Sequence, residues 1–201
     1  SPGTSTINCY SFTTSGSNFY NVNVYYATCY FYASSTISGY LNIATATRFS
    51  SPSISPGVTI TVNGAFSVQN GSSSNIWRLM CPSADSSGVG TLALNGSRNV
   101  AYADFMNITV TGGTLTGASL RDGGSCTGIS FESPATYYAV SGGWSTTQGG
   151  AVAVTDSQVR LGDSLIINGT SPATMSSFPY YAGNVNFTGY SGNLTSLPYL
   201  Y

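Results

Sequence analysis

The stretch that decides the fold class is VTITVNGAFSV, residues 58–68. From Val58 to Val62 apolar and polar residues alternate, which is typical of a strand with one buried face. The alternation resumes at residues 66–68 after Asn63-Gly64. Since Asn-Gly is the preferred pair of a two-residue type I′ turn, the stretch predicts either a β-hairpin or one strand with a kink.

Similar short strands are predicted along the rest of the chain. Residues 92–94 lead into Asn95-Gly96 and alternation returns at Val100, which predicts a second hairpin. Further candidate strands are 136–140, 150–155, 157–161, 164–168 and 183–188. No long segment has apolar residues at helical spacing, and no repeat of fixed period argues for a solenoid or propeller. The sequence therefore predicts an all-β fold, an antiparallel β-sandwich or jelly roll.

The charge content restricts the possible functions. The chain has 201 residues with no His and no Lys, and its charges are five Arg and six carboxylates. Nucleophilic triads and most zinc sites need residues that are missing here, so we expect no enzyme, no metal and no cofactor. Without a basic cluster we expect no nucleic-acid partner, and without a long apolar run we expect no membrane insertion.

The carboxylates and tryptophans admit a functional and a structural interpretation. A pair of carboxylates could serve a glycosidase, but single Asp residues beside Gly or Ser are more typical of turns and caps. Trp77 and Trp144 could stack on sugars, but we expect them to pack inside the fold. The carboxylates concerned are Asp85, Asp104, Asp122, Glu132, Asp156 and Asp163.

Six Asn-x-Ser/Thr sequons are candidate N-glycosylation sites. All of them lie after residue 69, at Asn70, Asn95, Asn107, Asn168, Asn186 and Asn193. Asn107 and Asn186 fall on the polar parity of their predicted strands, so we expect a glycan there to project into solvent. The first 69 residues contain no sequon, which is the pattern expected if the N-terminal segment is buried in a neighbouring subunit.

Four cysteines, Cys9, Cys29, Cys81 and Cys126, form an even set with no C-x-x-C pair. We therefore expect two disulfides rather than a metal site, as in secreted proteins. Three pairings are possible, and we favour the sequential one, Cys9–Cys29 and Cys81–Cys126.

The N-terminal segment differs from the rest of the chain. Residues 1–17 are rich in Ser and Thr, with Ile7, Tyr10 and Phe12 as the larger apolar side chains. Such a segment is either a frayed terminus or a strand without a partner in its own chain. We predict a tail at 1–17 followed by a single domain at 18–201.

Taken together, the chain resembles the subunit of the archaeal thread, a glycosylated surface filament of thermoacidophiles. The likeness rests on the start Ser1-Pro2-Gly3-Thr4, the Ser/Thr/Tyr-rich segment up to Cys29, the six late sequons, and the body without His or Lys. The resemblance implies a pilin-like, incomplete immunoglobulin-like sandwich, whose N-terminal donor strand completes the sheet of the next identical subunit. Ile7 and Cys9 of that donor strand would face one way and Tyr10 and Phe12 the other, and either set could face inward.

The predicted function is a structural subunit of an extracellular, cell-surface filament that polymerises head-to-tail by donor-strand complementation and serves adhesion. Its partners would be identical subunits and covalent N-glycans. The alternative is a monomeric carbohydrate-binding or adhesin domain, or a viral coat protein.

Overall fold

A computed structural model describes residues 6–44, 52–72, 76–81, 88–150, 153–155, 158–175, 178–179, 181–194 and 199–200. Within these residues the chain forms strands and turns and no helix, so the all-β prediction is confirmed. The chain divides into two compact units, Ser1–Glu132 and Ser133–Tyr201. The tail predicted at 1–17 belongs to the first unit.

The first unit is built from short strands that pair in parallel. In chain order they are β1 (Thr6–Thr14), β2 (Asn18–Phe19), β3 (Asn21–Phe31), β4 (Ser35–Ile37), β5 (Leu41–Ala44), β6 (Ser53–Ile54), β7 (Thr59–Val62), β8 (Phe66–Gln69), β9 (Trp77–Met80), β10 (Gly90–Leu94), β11 (Arg98–Asn99), β12 (Ala101–Met106), β13 (Ile108–Thr111) and β14 (Ala118–Asp122). Each described pairing among them is parallel.

These pairings describe a parallel β-solenoid with three faces. The first halves of β1 and β3 form face A with β5, β8 and β11, and their second halves form face B with β6, β9, β12 and β14. Face C contains β2, β4, β7, β10 and β13. The turns that begin at β5, β8 and β11 each add one strand to each face, whereas in the first two turns a single long strand spans faces A and B. A single core cluster collects inward side chains from all three faces.

The alternation at residues 58–62 is the inward–outward alternation of face C. Ile37, Val62 and Leu94 lie opposite one another in successive turns, and all three are buried. Because neighbouring strands lie about 4.8 Å apart, such in-register apolar residues stack into a continuous core.

The antiparallel sandwich is therefore wrong, and both predicted hairpins are corners of the solenoid. Strand β7 pairs with β4 and β10, whereas β8 pairs with β5 and β11. Gly64 and Gly96 lack the positive φ that a type I′ turn requires. Their role is close packing, because a Cβ on Gly96 would overlap the carbonyl oxygen of Gly64, and one on Gly64 that of Gly39.

The absence of a fixed sequence period was wrongly taken to exclude a solenoid, because the turns of this solenoid differ in length. Along face A the paired residues Val22, Leu41, Phe66 and Arg98 are separated by 19, 25 and 32 residues. The extra residues lie in connections between strands, where insertions are tolerated. A fixed sequence period is therefore absent although the structural repeat is regular.

The second unit combines a hairpin with two further parallel coils. Its strands are β15 (Thr136–Val140), β16 (Gly143–Ser145), β17 (Ala153–Val154), β18 (Ser164–Ile166), β19 (Thr174–Met175), β20 (Tyr181–Ala182), β21 (Asn184–Asn186), β22 (Asn193–Leu194) and β23 (Tyr199–Leu200). Strands β15, β16 and β17 pair antiparallel. Strands β18, β19 and β20 pair in parallel with β21, β22 and β23, so the chain again forms stacked coils.

Candidate functional site

Three charged residues of the first unit, two of them fully buried, form a row across face B. Arg78, Asp104 and Arg121 lie opposite one another in successive turns. Arg78 Nε donates to Asp104 Oδ2 at 3.2 Å, and both side chains are fully buried. Arg121 lies 4.0 Å from Glu132, whose other carboxylate oxygen accepts the Ser119 backbone N–H at 2.7 Å. The alternating signs give each charge an opposite neighbour, as burial requires.

Two further carboxylates stabilise turns by accepting hydrogen bonds from backbone N–H groups. Asp122 accepts the backbone N–H of Gly124 at 2.8 Å. Asp163 binds the backbone N–H groups of Ala135 and Arg160, each at 2.8 Å. These contacts match the turn and capping roles expected from sequence. Among the described residues, no group of three or more His, Cys, Asp or Glu is arranged to hold a metal ion, and Asp85 and Asp156 lie outside the described residues.

Both tryptophans pack inside the fold, as expected. Trp77 is buried between Phe66 and Phe105, with ring centroids 6.3 and 5.8 Å away. Trp144 packs on Phe178 at 5.9 Å. Neither indole is available as a surface platform for a sugar.

The structure separates the six sequons by accessibility. Asn107 is only 5% exposed, and its Nδ2 donates to the carbonyl of Cys81 at 3.2 Å. It occupies the corner between β12 and β13 with φ of 56°. The expectation that a glycan at Asn107 would project into solvent is therefore wrong.

The sequons at Asn168 and Asn186 share one local geometry. In each, the Asn Oδ1 accepts both the backbone N–H and the hydroxyl of the Thr two residues later; the distances at Asn168 are 3.0 and 2.7 Å. This turn holds the Thr hydroxyl against the Asn amide. Asn186 is exposed and Asn168 half-buried, whereas Asn70, Asn95 and Asn193 are exposed on other turns.

The register does not bring the favoured cysteine pairs together. Cys9 lies opposite Val24 and Cys29 opposite Phe12, so Cys9 and Cys29 are about three residues, roughly 10 Å, apart along the strands. Disulfides need Cα atoms about 4.4–6.8 Å apart. Two disulfides among the four cysteines stay a prediction, which thiol titration of the unfolded, unreduced protein would test.

Cys81 and Cys126 are thiols in the structure. Cys81 hydrogen-bonds to the turn at Met106, and the following Asn107 bonds to Gly124 in the next turn, so a whole turn separates Cys81 from Cys126. Burial raises the pKa of Cys126 to about 12 and also raises the pKa of Cys81. Both thiols are therefore protonated and weakly reactive at neutral pH.

A row of side-chain hydrogen bonds, the polar ladder, runs across the outer side of face A. Asn42 Nδ2 donates to Asn23 Oδ1 at 3.1 Å, and Asn23 Nδ2 donates to Asn8 Oδ1 at 2.8 Å. Ser67 extends the row by donating to Asn42 at 2.8 Å. Beside it lies a shallow groove of about 300 Å³, lined by Asn23, Tyr40, Asn42, Ala65, Ser67 and Gln69.

The first coil, β1 and β2, ends the solenoid with an open edge. The segment predicted as a donor strand, with Ile7, Cys9, Tyr10 and Phe12, lies in β1, which pairs in parallel with β3 of its own chain. The prediction that it lacks a partner in its own chain is therefore wrong. Within the described residues, the other side of β1 and the outer side of β2 pair with no strand.

The last coil, β21, β22 and β23, has a second open edge. In the part of the chain that the structure describes, these strands pair only with β18, β19 and β20. Every charged residue of the sequence lies between Arg48 and Asp163, so both end coils are uncharged. Sequence reasoning missed the polar ladder and this charge distribution, although the alternating Asn residues at 21 and 23 were a visible signal.

Comparison of the chain with protein-family models, with curated proteins and with solved structures finds no match. The resemblance to the archaeal thread subunit stays a prediction.

Proposed function

We propose that this chain is a structural subunit of an extracellular surface filament, which assembles with copies of itself through the open edge of the first coil. The observation that carries the proposal is strand β1, nine residues long, with one side unpaired among the described residues. An unpaired strand edge is a template for another strand, and monomeric proteins protect such edges with charges or Pro. Strand β1 contains neither.

The assembly contact differs from donor-strand complementation. A donor strand fills a groove in an incomplete sandwich, but β1 already pairs along its length with β3 of its own chain. In the proposed contact, β1 stays in its own solenoid and offers its outer N–H and C=O groups to a neighbour. A solenoid lengthens in this way without opening its core, because each turn contacts only the adjacent turns.

The sequons support an extracellular setting for the same chain. Five of the six have Asn side chains that are exposed or half-buried, and all six lie beyond the first coil. Side chains stand perpendicular to a sheet, whereas strands add along the hydrogen-bond direction. Glycans on Asn70, Asn95 and Asn168, which lie outside the first and the last coil, would therefore limit lateral association and leave the open edge of β1 accessible.

The proposal is tested by blocking the outer edge of β1 at Thr13. Tyr32 N–H donates to the carbonyl of Thr14, so Thr14 faces β3 and the preceding N–H, of Thr13, faces outward. Thr13→Pro removes that donor without removing a bond to β3. Thr13→Ala keeps the N–H and is the matched control.

We expect Thr13→Pro to give soluble monomers and Thr13→Ala to give filaments, as measured by sedimentation velocity and negative-stain microscopy. Circular dichroism must show wild-type strand content for both variants. Thr13→Lys, at an exposed position, is the second edge variant if Thr13→Pro does not fold. Normal filaments from a folded edge variant would refute the proposal.

A second candidate function is the binding of a neutral saccharide in the groove beside the polar ladder. The groove is lined by side-chain amides and hydroxyls, including the hydroxyl of Tyr40, and none of the lining side chains is charged. This lining is the observation that favours saccharide binding. Such groups suit hydroxylated, uncharged ligands. Calorimetric titration with neutral oligosaccharides would test this function, with Tyr40→Ala expected to weaken binding.

A further inference from the structure

The last coil repeats the sequence on which β1 already packs. Strand β3 begins Asn21-Val22-Asn23, and β1 lies against it with Thr6-Ile7-Asn8 in register. Strand β21 is Asn184-Val185-Asn186, the same tripeptide, and its outer side pairs with no strand among the described residues. We infer that β1 of one copy adds in parallel to β21 of a second copy, with Thr6, Ile7 and Asn8 opposite Asn184, Val185 and Asn186. This inference rests on the proposed self-assembly.

The burial pattern of the two strands agrees with this register. In β21 the two Asn side chains are exposed, while Val185 is partly buried against the core of the second unit. In β1, Thr6 and Asn8 are exposed and Ile7 is half-buried. In the stated register Ile7 stacks on Val185 on the inner side, and the polar residues of the two strands stack on the outer side. A slip by one residue would place apolar side chains opposite polar ones along the whole contact.

The polar ladder has a direction that leads into this contact. Each Asn amide donates towards the previous turn, from Asn42 to Asn23 and from Asn23 to Asn8. In the proposed register Asn8 meets the pair formed by Asn186 and Thr188. The Thr188 hydroxyl donates to Asn186 and keeps lone pairs that can accept from the Asn8 amide.

The last coil combines two exposed apolar side chains with a lack of charge. Phe187, just after β21, is 38% exposed and Leu194 in β22 is 37% exposed. The other two large apolar residues that are exposed among those described lie in the first unit, at Tyr32 and Val89. Neither the sequence before Arg48 nor that after Asp163 has a charge. The two edges therefore meet without repulsion and without burying an unpaired ion.

The contact joins two different surfaces and therefore propagates. A head-to-tail contact of this kind forms an open filament, whereas pairing of β1 with β1 of a second copy would close a two-fold dimer. The two arrangements thus predict different products when the edges are linked covalently.

The test places cysteines at one in-register pair of the full-length protein. Thr6→Cys and Asn184→Cys would bring the two Cα atoms about 4.8 Å apart across the contact, within disulfide range. Oxidised glutathione is the oxidant, and non-reducing gel electrophoresis separates the products. The controls are wild type, Thr6→Cys alone, and Thr6→Cys with Asn99→Cys, which places the second thiol on an exposed residue of β11.

We expect the Thr6→Cys, Asn184→Cys protein to give a ladder of dimers, trimers and higher species that reduction removes, with no ladder in the controls. Adding Thr13→Pro should abolish the ladder. Dimers alone, from both Thr6→Cys and the double variant, would overturn the inference and leave edge-mediated self-assembly standing. Absence of any cross-linked species from the double variant, together with assembly that Thr13→Pro does not affect, would overturn both.

Discussion

Replacement of Phe105 by Ala tests the core on which the open edges depend. Phe105 is fully buried in β12, with its ring 5.8 Å from Trp77 in an edge-to-face arrangement and 6.2 Å from Phe131. Removal of a buried Phe side chain costs about 3–5 kcal/mol from lost transfer energy and the cavity that remains. Loss of two aromatic pairs places the expected cost in the upper half of that range, about 4–5 kcal/mol.

The assay is urea unfolding followed by tryptophan fluorescence in a Trp144→Phe background, so that Trp77 alone reports on the first unit. Because Phe105 contacts Trp77, the midpoints must be confirmed by circular dichroism. An unchanged slope with a lower midpoint identifies a loss of stability rather than a change in the unfolded state. The control is Tyr32→Ala, at an aromatic residue of the same unit that is 60% exposed.

We expect the control to cost less than about 1 kcal/mol, as for partly exposed positions. A loss below about 1.5 kcal/mol for Phe105→Ala would refute the burial of Phe105 against Trp77 and Phe131 in the core. Equal losses for the two variants would also contradict it, because the burial of the two rings differs.

The remaining predictions concern titration and modification. Burial raises the pKa of Cys126 to about 12, above its ordinary value of 9.0, so its contribution to stability is fully present below about pH 9 and is lost as the pH rises towards 12. The difference in urea midpoint between wild type and Cys126→Ala should therefore be smaller at about pH 11 than at about pH 8. An equal difference at the two pH values would contradict this. Peptide mapping of native material should find carbohydrate at Asn168 and none at Asn107, since Asn107 is buried; a glycan on Asn107 would be incompatible with this fold.

The strand prediction for residues 58–68 shows how far local pattern reaches. The inward set was identified correctly, because alternation depends only on which side of a strand is buried. The partner strands were not, because parallel and antiparallel sheets can bury the same alternating residues. The Asn-Gly pairs suggested hairpins, yet at Gly64 and Gly96 the glycine is needed for close stacking of corners.

The candidate site could be predicted only in part. That the described carboxylates and both tryptophans serve structure was predicted, since turn chemistry and aromatic packing are local preferences. The burial of Asn107 was not, because it results from a corner at which its amide reaches the carbonyl of Cys81. The polar ladder required the register, since Asn8, Asn23 and Asn42 are separated by 15 and 19 residues.

The sequence by itself determined the all-β class, the inward and outward residues of β7 and β8, and the concentration of every charge between Arg48 and Asp163. These properties depend on residue type and on neighbours in the chain. Only the tertiary structure decided that the strands of the first unit run parallel, that β1 is the first turn of a solenoid and that β21 presents the same tripeptide as β3 on an open edge of the second unit. Parallel register is set by contacts between residues 15 to 32 positions apart in turns of unequal length, and no local pattern encodes that distance.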